Sequence, residues 1–290
     1  MYTLGILRVI HMKRLLPAML AVILCAPAAF AAVEYEFHQT TSSEVEQIPS
    51  GDLTARAVID GQRSRVDFVG GSAYPPGTYV VSTNGSRTLV FVDPLSKSFT
   101  EINVAAATAA MGSSKITIEN ASSNFQTLDD HPIVAGYPTD HYRMTVRYDM
   151  TVTLGSLPMK QSVETVLDKW TTTAFGDVGE TFLSDHGVKT GNQKIDDLID
   201  EETTKVKGLA LKQRVEITTM NRNGQLPDSK LKINPTRKQT RDFLVTSIRR
   251  VDAVAASFFI PAAYHKTDPR QADPQQPKIH MLSLEPPSSK

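Results

Sequence analysis

Along most of the chain, apolar and polar residues alternate with a period of two. Val33, Tyr35 and Phe37 interleave with Glu34, Glu36 and His38, which predicts a strand with one buried face. Leu53 to Val69 reads as two strands joined near Asp60-Gly61, and Thr78–Ser82 with Arg87–Val92 as a hairpin around Asn84-Gly85. Asp-Gly and Asn-Gly supply the positive φ that tight hairpin turns require. Asp93-Pro94 turns the chain into a strand over Ser98–Val104, and strand signals resume at Lys115–Ile118 and near Phe125–Leu128.

The longest alternation follows. Tyr142, Met144, Val146, Tyr148, Met150, Val152 and Leu154 interleave with Arg143, Thr145, Arg147, Asp149, Thr151 and Thr153. At about 3.3 Å per residue this strand is roughly 43 Å long. One wet face places it in an antiparallel sheet, because parallel strands are buried on both sides. A turn near Gly155–Pro158 returns the chain over Met159–Trp170, and Leu209–Ile217 and Arg241–Ala255 supply two more strands. Helical signals are few. The alanine-rich stretch after Asn103 predicts a short helix with Asn103 as its cap, and Ile195, Leu198, Ile199 and Val206 fall at helical spacing. The predicted fold is mainly β: a large curved antiparallel sheet of about ten strands, open like a half-barrel, with one or two helices covering the concave side.

The N-terminus has a different character. Lys13 and Arg14 precede an apolar run from Leu15 to Ala28, then Ala29-Phe30-Ala31. That order is a secretory signal peptide over residues 1–31 with cleavage near Ala31, and it predicts a periplasmic or secreted protein. Leu24 before Cys25 argues against a lipidated cysteine, and cleavage leaves a mature chain without cysteine. Residues 32–265 form the single β-rich domain of this reading. Prolines, glutamines and charges dominate 266–290, which predicts a disordered tail.

Composition narrows the function. The 31 basic and 31 acidic residues balance, which removes the footprint of a nucleic-acid binder. One cysteine excludes a disulfide framework and a cysteine-ligated zinc site. No later stretch reaches the ~20 apolar residues of a membrane span, so no integral membrane protein is expected. Nucleophile elbow, zinc-protease, P-loop and dinucleotide motifs are absent from the sequence. His38 and His141 fall on the polar faces of their strands and read as surface residues, as do the other histidines. Asp185-His186 has no nucleophile tied to it. The acids Asp196, Asp197, Asp200, Glu201 and Glu202 read as a solvated helix face. No catalytic residue, metal ligand or cofactor is assigned, and the expectation is a protein that is not an enzyme.

What remains is the apolar face of the longest strand. Tyr142, Met144, Val146, Tyr148 and Met150 are the candidate ligand-lining residues, since aromatic and methionine side chains adapt to irregular apolar partners. A wide curved sheet with few helices has difficulty filling its own concavity, and such cavities take ligands. Two functions follow: a binding or carrier protein for an apolar lipid or acyl ligand, or a structural or regulatory envelope protein acting through protein–protein contacts.

Several short motifs follow one another along the chain: Arg63-Ser64-Arg65-Val66-Asp67, Leu89 to Ser98, Val134-Ala135-Gly136-Tyr137 leading to His141-Tyr142-Arg143, Trp170, and Phe259-Ile260-Pro261-Ala262-Ala263-Tyr264. Their order resembles exported bacterial proteins related to the LolA/LolB-type periplasmic lipoprotein carriers, with Ala263 where relatives usually have glycine. The resemblance implies a curved antiparallel half-barrel and a periplasmic or extracellular home. By analogy it implies a lipid or lipoprotein acyl chain as partner, and it brings no catalytic residue.

Overall fold

The computed structural model describes residues 32–44, 50–104, 106, 115–154, 157–176, 178, 197, 200, 204–222, 236–252 and 258–268. The signal-peptide reading, including Cys25, and the chain beyond Asp268 lie outside these residues. So do His186, His280 and most of both expected helices. Helical backbone is described at Val104, Ala106, Asp197 and Asp200. The Ala106 N–H donates to Asn103 Oδ1 at 2.9 Å, the capping bond expected of that asparagine. Helices over one face of the sheet are not seen among the described residues.

The strands run in chain order as β1 (Ala32–Ser43), β2 (Gly51–Asp60), β3 (Arg63–Gly71), β4 (Tyr79–Ser82), β5 (Thr88–Asp93), β6 (Ser98–Asn103) and β7 (Lys115–Leu128). They continue as β8 (Ile133–Val134), β9 (Tyr137–Pro138), β10 (Asp140–Leu154), β11 (Leu157–Thr172), β12 (Leu209–Asn221), β13 (Thr236–Val251) and β14 (His265–Thr267). Twelve form one open sheet in the order β14-β6-β5-β4-β3-β2-β1-β13-β12-β11-β10-β7, and β8 pairs with β9 apart from it. The count exceeds the ten expected, and the sheet is mixed. Its single parallel pair is β14 with β6, which carries the sheet past the boundary read at Lys266.

Two meanders make the halves of the sheet. In the first, β1 to β6 pair successively. Gly61 takes φ +58° in the two-residue turn from Asp60 to Arg63, a conformation that costs glycine nothing. In the β4–β5 turn Asn84 Oδ1 accepts the Thr88 N–H at 3.0 Å. In the second half β7 pairs with β10, β10 with β11, and β11 with β12. The two signals at Lys115–Ile118 and Phe125–Leu128 belong to one strand, β7, bent by a bulge opposite Arg147–Asp149. Asn120 takes φ +51° there, and its amide donates to Asp149 at 2.9 Å. Asparagine tolerates this left-handed conformation better than most residues. The strand β13 lies between β1 and β12 and joins the halves.

The main core occupies one face. Val33, Tyr35, Phe37, Leu53, Ala55, Ala57, Ile59, Val66, Phe68, Val80, Leu209, Leu211, Phe243 and Val245 are buried together. The β8–β9 hairpin adds Val134 and Tyr137, and Tyr137 meets the Phe175 ring at 4.9 Å. The motif Val134-Ala135-Gly136-Tyr137 is this hairpin, with Ala135 and Gly136 both at positive φ. The outer face of β3 to β6 has its own cluster, where Tyr79, Val81, Val92 and Phe258 pack with Ile260 and Tyr264. Arg63 lies 5.0 Å from the Phe258 ring centre and Arg65 3.9 Å from that of Tyr79, so the motif at 63–67 borders this cluster.

Candidate functional site

Register decides which side chains share a face, because residues directly opposite in an antiparallel pair point to the same side. Tyr142 is opposite Lys169, Lys169 opposite Gln213, Gln213 opposite Phe243, Phe243 opposite Gln39, and Gln39 opposite Leu53. Phe243 and Leu53 belong to the main core, so the whole row lies on the core face. Met144, Leu167 and Val215 form the next row. Val146, Thr165 and Ile217 form the third, with Thr165 the polar break.

The five candidate residues occupy this face. Tyr142, Met144, Val146 and Met150 are buried and Tyr148 is half-buried. Tyr142 stands with the Phe125 ring 5.7 Å away. Burial raises the phenol pKa of Tyr142 and of Tyr148, and the Tyr142 phenol also faces the Asp140 charge. Met150 belongs with Val152 and Val163 to a cluster that Tyr148 and Ile217 join, separate from the main core. Met150 and Tyr148 therefore belong to this second cluster and Tyr142 lies beside Phe125 and opposite Lys169, with Met144 and Val146 between them along β10.

The opposite face holds an arrangement that the alternation did not reveal. His141, read as a surface residue, is 5% exposed. Its ring lies 4.1 Å from that of Trp170 at an interplanar angle of 20°. Nδ1 is 2.6 Å from Asp130 and Nε2 is 2.9 Å from Asp168. A doubly protonated ring donates to both carboxylates, whereas a neutral ring donates to one. Arg143 donates to both oxygens of Asp168 at 2.7 and 3.1 Å, and this fork raises the Arg143 pKa. The hydrogen bond from His141 leads the causes that hold the Asp130 carboxyl below its ordinary value. Lys212 completes the row, with Nζ 4.2 Å from the Trp170 ring centre.

The signal for this cluster was lateral. His141, Trp170 and Lys212 stand opposite one another on β10, β11 and β12, and Asp168 lies two residues from Trp170 on the same face. Chemically the group is a clamp: it ties the segment before β8, through Asp130, to the sheet. Among the described residues no group of three or more histidine, cysteine or carboxylate side chains is placed to hold a metal, and no helix is long and apolar enough to cross a membrane.

No family model matches the chain, and no curated protein matches it in sequence. Among solved structures it is similar to PNGF-II at 13% identity and a TM-score of 0.30, over 82% of this chain and 31% of that one. It therefore spans under a third of that protein. It is also similar to a LolA superfamily protein, NE2245 from Nitrosomonas europaea, at 10% identity and a TM-score of 0.28, over 79% of this chain and 90% of that one.

Proposed function

We propose that the protein is an exported, non-enzymatic binding or carrier protein for an apolar lipid or acyl ligand, held against the core face of β10 to β12. One observation carries this reading. The core face continues past the main core into a second apolar cluster of Met150, Val152, Val163, Tyr148 and Ile217. A sheet that only filled its own core has no need of a second one, and methionine with tyrosine gives that cluster an adaptable surface. Native mass spectrometry of protein purified from its own periplasm tests the proposal. A co-purifying acyl compound supports it; a chain free of ligand that also fails to take up a neutral apolar fluorophore overturns it.

A second reading, an envelope protein that acts through protein–protein contacts, rests on β7. This long strand ends the sheet and pairs with β10 alone among the described strands, and an edge strand is a template for strand addition. Cross-linking that trapped a partner along β7 in cells, with no ligand bound to the core face, would favour it.

A further inference from the structure

The row that crosses the core face from Tyr142 to Leu53 is not apolar throughout. Lys169 is 2% exposed and Gln213 4% exposed, and half-buried Gln39 stands in the same row beyond Phe243. The side-chain oxygens of Gln213 and Gln39 are buried and accept no hydrogen bond among the described residues. A buried acceptor left unpaired costs about 1–3 kcal/mol, and the great majority of buried polar groups in native proteins are paired. Two such oxygens in one row, at the border between the main core and the second apolar cluster, mark a place for a hydrogen-bond donor that the described residues do not supply.

We infer that this row is the head-group subsite of the ligand site, and that the ligand is an acyl amphiphile whose polar head carries hydroxyl donors. The inference rests on the carrier reading above and names the ligand's chemistry. Gln213 and Gln39 are two strands apart, about 9.5 Å at the usual strand spacing, which suits a head with more than one hydroxyl. From Gln213 the same face leads through Val215 to Ile217, and from Tyr142 through Met144 and Val146 to Met150, so an acyl tail follows the strands away from the head. A hydroxyl fits a carboxamide whichever way its end is turned, because it both donates and accepts.

The test uses the mature protein, a bound neutral fluorophore such as phenylnaphthylamine, and two competitors with the same tail. Monolauroylglycerol carries hydroxyl donors; methyl laurate carries none. The expected result is that wild type prefers monolauroylglycerol by about tenfold, the worth of one or two hydrogen bonds. Gln213→Met is expected to bring that preference to within about twofold, chiefly by weakening monolauroylglycerol. Gln39→Met reads the same effect should Gln213→Met not fold. If neither compound displaces the fluorophore and the fluorophore itself does not bind, the carrier reading fails. If both compete equally in wild type, or the preference survives both substitutions, the head-group subsite is wrong while the carrier reading stands. A fall in melting temperature for Gln213→Met without any wild-type preference would assign the oxygen to a buried water and overturn the inference.

Discussion

His141 lies flat against Trp170, ring centres 4.1 Å apart, and each of its nitrogens faces a carboxylate from a different part of the chain. Asp168 comes from β11, and Asp130 from the segment that leads into the β8–β9 hairpin. That hairpin contributes Val134 and Tyr137 to the main core. Stacking, charge and core packing are therefore linked through one side chain.

Asp168 is the member of this group whose loss is expected to cost most. Its carboxylate serves both His141 and Arg143, and removing one partner of a buried pair leaves the others uncompensated. Arg143 is substantially exposed, so its share is small. Asp168→Ala is expected to lower unfolding stability by about 3 kcal/mol, read as a lower urea midpoint with an unchanged slope. A loss under about 0.5 kcal/mol, the size of an ordinary surface change, would contradict the clamp.

Two glycines are set by close approach of the backbone. A Cβ on Gly71 would stand 2.3 Å from the Asp52 carbonyl oxygen, and one on Gly208 2.4 Å from that of Thr172, at φ +100° and +85°. Gly71→Ala and Gly208→Ala are each expected to destabilise by more than the roughly 1–2 kcal/mol of a left-handed alanine alone. Gly61 and Gly85 face open space, so alanine there should cost about that figure or less. Thermal melts of the four variants give the ranking directly.

The register of β10 predicts opposite outcomes for neighbouring substitutions. Met144 is buried on the core face, whereas Thr145 points to the other side, opposite Val166 and Asn124. If the face holds ligand, Met144→Asp is expected to abolish binding of an apolar fluorophore at modest cost in stability. If it is closed core, an unpaired carboxylate faces several kcal/mol of desolvation and the variant unfolds. Thr145→Asp should change little in either case. Retained binding by a folded Met144→Asp would remove this strand from the ligand site.

Acid should weaken the fold through carboxylates held in their charged form. Hydrogen bonds from Ser162 and Asn120, with the Arg222 charge, keep Asp149 below its ordinary value of 3.8, and Ser72 does the same for Asp52. A depressed folded-state pKa contributes stability that is complete above 3.8 and is lost as pH falls through the lower value. Asp149→Asn is therefore expected to flatten the fall of melting temperature below that pH and to leave its neutral-pH dependence alone. An unchanged acid limb would show that the β7 bulge contributes nothing through Asp149.

The sequence made much of this sheet legible, because period-two alternation survives wherever one face is buried and the other wet. The hairpins at Gly61 and Gly85 and the long strand from Asp140 follow from local pattern alone. Other features have no such signal. Two residues each in β8 and β9 are too few to show a period, and β14 reads as tail because its Lys266 pairs with Glu101 on β6 instead of with a local neighbour. His141 misled for a physical reason: alternation separates the two faces but does not say whether the second face is wet. There Trp170 covers it, and that contact depends on the lateral pairing of β10 with β11. Gln213, whose oxygen finds no partner among the described residues, was equally hidden, since it interrupts an apolar series that counts as a strand with or without it.

The position of β13 bears on how the chain reaches this state. It is the last long strand to be made, and it alone connects the meander that begins at Ala32 with the one that ends at Asn221. Until residues 236–251 emerge, β1 and β12 each lack a neighbour, and Phe243 and Val245 are missing from the core they complete. Pairings separated by some two hundred positions close slowly, because the loop entropy precedes the contacts that offset it. The two meanders therefore form first, each from strands close in sequence, and the sheet becomes one only when the final segment arrives.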